Sequence, residues 1–516
     1  MIVAPAKEAR YVRPLVFVAS LVLSTLTLGA EIAPPSPADP GPWPVGFRLV
    51  EQVDASRSDT GSDQGRPVQT LVWYPAARAG QPMRYEDYLE LGSAENDFSR
   101  TPAERRRRTD AALGIYTVLG TSPDAIASWR AAPVRASRDA TSADGRFPVV
   151  IYAASDSSPA YENDWLCEYL ASHGYVVLAS PSHGADGGYM TDGRLPQDLA
   201  NTRAQAADIG FLIGFARSMP FADTTHLAVV GYSWGGLSAT FAAMADKRIR
   251  AIVAWDGSMR YFSKLMHAAP DIAPEAFTTP MLFIADREDP IPPARDAWPH
   301  SFITRMPHAD LILVGMKRLF HPDLAAQSLR LGSMAKHDDT TLDQRLASYA
   351  WMERYTLAFL DERLKSDASA QTFLDATPEE NHVPPGTLTS IRRRATSSLG
   401  TIADMAPHLF AERADPQTVH DDYVRKHPGF QIAGDTYSSW LSSLLADGDI
   451  SQAATVAALW TTRLPQSGEA WTMRAAIEDT QGQRDNAIRD YRHALQLDPN
   501  NPIGKRRLQT LTSTPP

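Results

Sequence analysis

The chain has 516 residues, more than one ordinary hydrophobic core accommodates, so two or more domains are expected. Hydrophobic residues make up 43% and charged residues 21%, as in soluble globular proteins, and the formal net charge of −10 excludes nucleic acid as a main partner, because phosphate binding needs a basic surface. A single cysteine, Cys167, excludes an internal disulfide framework.

Lys7, Arg10 and Arg13 precede the apolar run LVFVASLVLSTLTLG (residues 15–29), which is short for a membrane span. Gly29 and Ala30 are small residues where a signal peptidase would cut, and a Pro-rich stretch follows. The pattern predicts a signal peptide over residues 1–30, a Pro-rich linker over 31–45 and an exported mature chain, periplasmic or secreted. An uncleaved membrane anchor is the rival reading. A lone cysteine without an internal partner is compatible with an oxidising compartment.

Residues 46–365 alternate β-like and helix-like segments. VQTLVWYP (68–75) reads as a strand at the sheet edge. Residues 82–144 are a charged, helix-prone insertion, whose ERRRR run (104–108) reads as a solvated helix face rather than an anion site. FPVVIYA (147–153) is apolar throughout and rich in β-branched residues, as a buried parallel strand requires. Helical spacing over 165–174 ends in Gly174, and strand 175–180 follows. Next come helix 199–218, strand 226–231, helix 237–246, strands 251–255, 281–285 and 311–315, and an amphipathic helix over 342–364. Strands alternating with helices predict an α/β fold built on a doubly wound, mostly parallel sheet.

Residues 366–430 are polar and contain proline, as a linker would. Gly448, Ala453 and Pro465 then recur 34 residues later as Gly482, Ala487 and Pro499. That period, with Trp471, Tyr491 and Ala494 at the pattern's aromatic and small positions, resembles the tetratricopeptide repeat. A small all-α helical-repeat region is expected over residues 431–511. It would serve as a surface for a protein partner, or as a helical cap that stabilises the rest of the chain.

GYSWGG (231–236) matches G-x-S-x-G, following a buried strand and opening a helix. That context predicts a nucleophile elbow with Ser233 at its tip, Gly231 and Gly235 leaving room for strand and helix. A serine hydroxyl is a weak nucleophile; it needs a base, and the base needs an orienting carboxylate. The base is expected after the last parallel strand, which points to His321 in LFHPDL, with His337 as the rival farther along. Two acids compete. Asp256 ends strand 251–255, and Asp289 follows strand 281–285 in ADREDP. No metal-ligand spacing and no phosphate-binding Gly loop stands out, so no cofactor is expected.

The segments LVWYPA, FPVVIYAASDSS, LASHGYVVLAS, GYSWGG, ADKRIRAIVAWDGSM and YTLAFLDERL, between residues 68 and 364, resemble the platelet-activating-factor acetylhydrolase family, relatives of dienelactone hydrolases and bacterial lipases. The resemblance implies an α/β-hydrolase fold and a Ser–His–Asp esterase. It assigns the acid to Asp256, 23 residues beyond Ser233, leaving Asp289 as the alternative. It also implies an oxyanion hole made of the backbone N–H groups of Trp234 and Asp156. Where that family has His-Gly after the first core strand, this chain has Ala154 and Ser155. The expected substrates are short-chain or phospholipid-like acyl esters. A catalytically degenerate hydrolase acting as a scaffold, and a peptidase on the same fold, are the rival readings.

Overall fold

The computed structural model describes residues 37–513 apart from 58–64, 119–120, 186–194, 263–264, 267, 270, 275–276, 288–301, 304–305, 307–308, 331–338, 394–414, 427–433 and 447. The predicted signal segment, Asp289 and His337 therefore lie outside the described residues.

Among the described residues, eleven strands form one sheet. In chain order they are β1 Val45–Asp54, β2 Arg66–Pro75, β3 Gln81–Arg84, β4 Pro133–Arg138, β5 Phe147–Ala153, β6 Val176–Ser180, β7 Ala222–Tyr232, β8 Ile249–Trp255, β9 Met281–Ala285, β10 Leu311–Met316 and β11 Leu388–Arg393. Their spatial order is β11-β10-β9-β8-β7-β5-β6-β2-β1-β4-β3. The six strands from β6 to β10 run parallel, with β5 central between β6 and β7. Their central stretches, such as VVIYA of β5, LAVV of β7 and AIVAW of β8, are apolar because both faces are covered. On one face Val150, Val177, Val230, Val253 and Ile284 pack on the helices Asp164–Ser172 and Leu342–Lys365. On the other, Val149, Ile151, Val229 and Ile252 pack on the helices Leu195–Ala216 and Trp234–Ala245. The predicted α/β, doubly wound, mostly parallel sheet is present.

Three expectations need correction. Residues 68–75 do not form an edge strand: β2 pairs antiparallel with β1 along its full length and with β6 on its other side. The segment VGFRLVEQVD supplies that cover, and its mixed polarity hid it from a search for apolar runs. The 82–144 insertion is not purely helical. Around its helices Tyr85–Gly92, Pro102–Val118 and Pro123–Ala131 it carries β3 and β4, which extend the sheet beyond β1. Within the expected linker from 366 to 430, the described residues are largely helix and strand. It holds the helix Ala368–Asp375, then β11 on the edge of β10, then the helix Pro416–Lys426, whose Val419 joins the core of the C-terminal helices.

The described residues of the C-terminal region form helices and turns, as expected. Gly434–Ala446 and Ile450–Arg463 form one hairpin, Gly468–Thr480 and Arg484–Leu497 a second, and Pro502–Ser513 follows. Gly448 and Gly482, 34 residues apart, turn their hairpins with nearly equal left-handed φ of 76° and 75°. A side chain at either position would be strained. Ala453 and Ala487 are both fully buried where paired helices meet.

Candidate active site

β7 runs straight into the helix Trp234–Ala245, and Ser233 is the only residue between them. The turn is sharp enough to force Ser233 to φ 53°, ψ −117°, a conformation that costs about 1–3 kcal/mol and is kept only where the surroundings impose it. Two glycines make it feasible. A Cβ on Gly231 would sit 2.4 Å from the Gly235 carbonyl, and a Cβ on Gly235 would sit 2.0 Å from the Ala153 carbonyl oxygen. The Ser233 backbone is pinned by its N–H donating to Trp255 O at 2.9 Å and its carbonyl accepting from Ser258 N at 2.8 Å. The hydroxyl thus stands at the N-terminus of a helix, at the carboxyl end of the sheet, where the partial positive charge favours a developing anion.

His321 opens a short turn beyond β10. Its Nε2 lies 2.9 Å from Ser233 Oγ and its Nδ1 lies 2.5 Å from Asp256 Oδ2. Tyr232, the residue before the elbow serine, donates its hydroxyl to His321 O at 2.6 Å. Asp256 ends β8 and is fully buried. Burial alone would raise its pKa, but the bond from His321, the Arg260 guanidinium at 3.0 Å and the Tyr261 hydroxyl at 2.9 Å hold it below the ordinary carboxylate range. His321 shifts the other way. Burial works against its charged form, yet the bond to Asp256 and the charges of Asp256 and Asp286 raise its pKa.

Ser233, Asp256 and His321 are thus brought together from three different strand ends. The two residues expected to bind an oxyanion are near the elbow. Trp234 is the first residue of the elbow helix and is buried. Asp156 is exposed on the loop after β5, whose Ala153 and Ala154 carbonyls abut Gly235.

Several residues at this site were not foreseen. Buried Glu162 holds Ser155, which stands where the resembled family has glycine: Oε2 accepts the Ser155 N–H at 2.8 Å and Oε1 accepts its hydroxyl. Burial raises the Glu162 pKa, against the pull of these bonds. Arg260 was also missed, although it sits one helical turn after Asp256. Asp286 follows β9 directly and accepts the His321 N–H at 3.1 Å. Sequence reading favoured Asp289 on this segment, three residues farther along. Asp256, Asp286 and His321 can each offer a donor atom within 4.8 Å of the others, the layout of a cation site. The cation beside both carboxylates is Arg260.

The profile of the dienelactone hydrolase family matches residues 140–309, a stretch that includes Ser233 and Asp256. Together with the sheet order, this match gives the domain the α/β-hydrolase fold. Among curated proteins, the chain is 26% identical over 161 residues to a bis(hydroxyethyl) terephthalate hydrolase of Streptomyces coelicolor, covering 31% of this chain and 49% of that protein. It is 25% identical over 121 residues to a protein of Methylorubrum extorquens provisionally assigned as a carboxymethylenebutenolidase, covering 22% and 42%. The chain therefore spans less than half the length of these relatives. A ferulic acid esterase from Streptomyces cinnamoneus superposes with a TM-score of 0.49 at 20% identity, over 69% of this chain and 99% of that one. The matched segment is thus similar to hydrolases of esterase type.

Proposed function

We propose that this α/β hydrolase is a carboxylic-ester hydrolase acting through a Ser233–His321–Asp256 triad. The unbroken line of contacts from Asp256 Oδ2 through both ring nitrogens of His321 to Ser233 Oγ carries the reading. Ser233 Oγ attacks the ester carbonyl while His321 Nε2 takes its proton. Asp256 holds the imidazole with Nδ1 protonated and stabilises the imidazolium that forms. The backbone N–H groups of Trp234 and Asp156 receive the oxyanion; one such donor is worth on the order of 10²–10³ in rate. His321 returns the proton to the leaving alcohol, and water then releases the acid from the acyl-enzyme by the same steps. No cofactor enters this cycle.

Short-chain or phospholipid-like acyl esters fit the family resemblance, and the relative named for a terephthalate ester supports esters over amides. We read residues 1–30 as an export signal and the C-terminal hairpins as a surface for a protein partner. One feature favours a scaffold instead: Ala154 and Ser155 stand where the resembled family has His-Gly. Glu162 argues against it, since two bonds to Ser155 restrain that loop.

Hydrolysis of p-nitrophenyl esters of increasing acyl length, alongside matching anilides, tests the proposal. Activity should be highest on short acyl esters and vanish in Ser233→Ala. A fluorophosphonate probe should label the wild type and not the variant. Folded wild-type protein that neither turns over esters nor takes the probe would establish the scaffold reading.

A further inference from the structure

Two carboxylates meet His321 from adjacent strand ends, with one arginine beside both. Asp256 takes the imidazole Nδ1, while Asp286 takes the backbone N–H of the same residue. Arg260 Nη1 lies 3.0 Å from Asp256 Oδ1 and 3.5 Å from Asp286 Oδ1. Arg260 is only 2% exposed, so solvent screens its charge little.

Charge balance gives this arrangement its meaning. A triad acid works by offering a negative charge to the imidazolium of the transition state. Arg260 offsets that charge on Asp256 whether or not the reaction is under way. A second carboxylate restores one net negative charge among the three groups, and the imidazolium then neutralises it. We propose that Asp286 is a positioning residue of the Ser233–His321–Asp256 site, anchoring the His321 backbone and supplying the charge that leaves Asp256 effective in the presence of Arg260. The proposal rests on the serine-hydrolase reading above.

Among the described residues, the other groups around His321 and Asp256 make different contacts. Tyr232 and Tyr261 reach His321 O and the Asp256 carboxylate as hydroxyls. Asp323, on the same turn as His321, accepts the Phe320 N–H at 3.1 Å. Arg287 lies over the Phe320 ring and pairs with Asp339 at 2.5 Å. The raised pKa of His321 has Asp286 among its causes and Arg260 opposing it.

The simpler account makes Asp286 a loop pin only. Asp286→Asn separates the two, because asparagine keeps the volume and an acceptor for the His321 N–H and removes only the charge. The pH profile of kcat/KM on a short p-nitrophenyl ester is the readout, with the rate of fluorophosphonate labelling as a second one. We expect the acidic limb of Asp286→Asn to move down by about one pH unit, the lower end of the effect of a charge at about 4–6 Å. The plateau kcat should fall about tenfold, the rate equivalent of one such unit, with KM unchanged. Adding Arg260→Met should bring the acidic limb back toward wild type. If Asp286→Asn does not fold, Arg260→Met alone reads the same balance with the opposite sign, moving the limb up. A limb that stays in place in the folded variants, with kcat within about twofold of wild type, overturns the proposal. Loss of the parent reading looks different: the wild type itself would be inactive, or Ser233→Ala would be as active as wild type.

Discussion

Ser233 and Asp256 both adopt left-handed φ, 53° and 41°, although neither is glycine. Each such conformation costs about 1–3 kcal/mol, so two within one site mark a place where packing overrides local preference. The Asp256 backbone N–H donates to Ile284 O at 2.7 Å, which ties the acid to the neighbouring strand while its side chain turns toward His321. Asp256→Asn keeps the volume but cannot hold the imidazole in the tautomer that accepts from Ser233. We expect kcat/KM on a short-chain ester to fall by about 10⁴ in protein whose circular dichroism is unchanged. A drop smaller than about tenfold would move the acid role to another carboxylate.

At the scale of elements, β11 carries the sheet past residue 365. It pairs antiparallel with β10, and the segment leading to it buries Val383 and Leu388. Each of those side chains is worth roughly 1.5–3 kcal/mol when fully buried. A chain cut after residue 365 would lose this cover and expose the apolar strand LILVGM as a free edge, a template for aggregation. A chain cut after residue 393 keeps the pairing. Expression of the two truncations should give a soluble, active protein in the longer case and an aggregating or thermally weakened one in the shorter. Equal stability and activity of the two would show that β11 is dispensable.

Across the whole molecule, the buried acids of the helix Asp164–Ser172 set a pH dependence of stability. Asp164 pairs with the buried Arg330, while Glu168 accepts from the Tyr88 hydroxyl at 2.7 Å and the Arg135 N–H at 2.9 Å. Burial pushes Asp164 up to about 6, and burial with the nearby Asp164 charge pushes Glu168 up to about 7. A carboxyl whose pKa is raised by folding binds more protons in the folded than in the unfolded state between the two values. Stability from this source is therefore present at and below the ordinary carboxylate range and falls as pH rises toward about 7. Glu168→Gln removes the titrating group and keeps an acceptor. Urea midpoints from pH 5 to 8 should decline less steeply in the variant than in the wild type. Parallel curves would mean that Glu168 does not titrate in this range.

Periodicity and punctuation determined much of this protein from the sequence alone. Continuous apolar runs mark strands buried on both faces, and G-x-S-x-G between strand and helix marks an elbow, because only glycine fits where a Cβ would meet backbone. The 34-residue recurrence of Gly448 and Gly482 likewise follows from a local turn that a side chain would strain. Local signals could not show β1 covering β2, or β11 covering β10, since pairing partners far apart in the chain leave no mark on either segment. For the same reason Asp286 left no signal, since the His321 amide it accepts from lies 35 residues away. Arg260 and Glu162 contact Asp256 and Ser155 only four and seven residues earlier, but through loop conformations that no periodic pattern marks. Ser233, Asp256 and His321 could be singled out from strand ends and family spacing, but the distances that bring them together, and bring Arg260 and Asp286 beside them, exist only in the folded sheet.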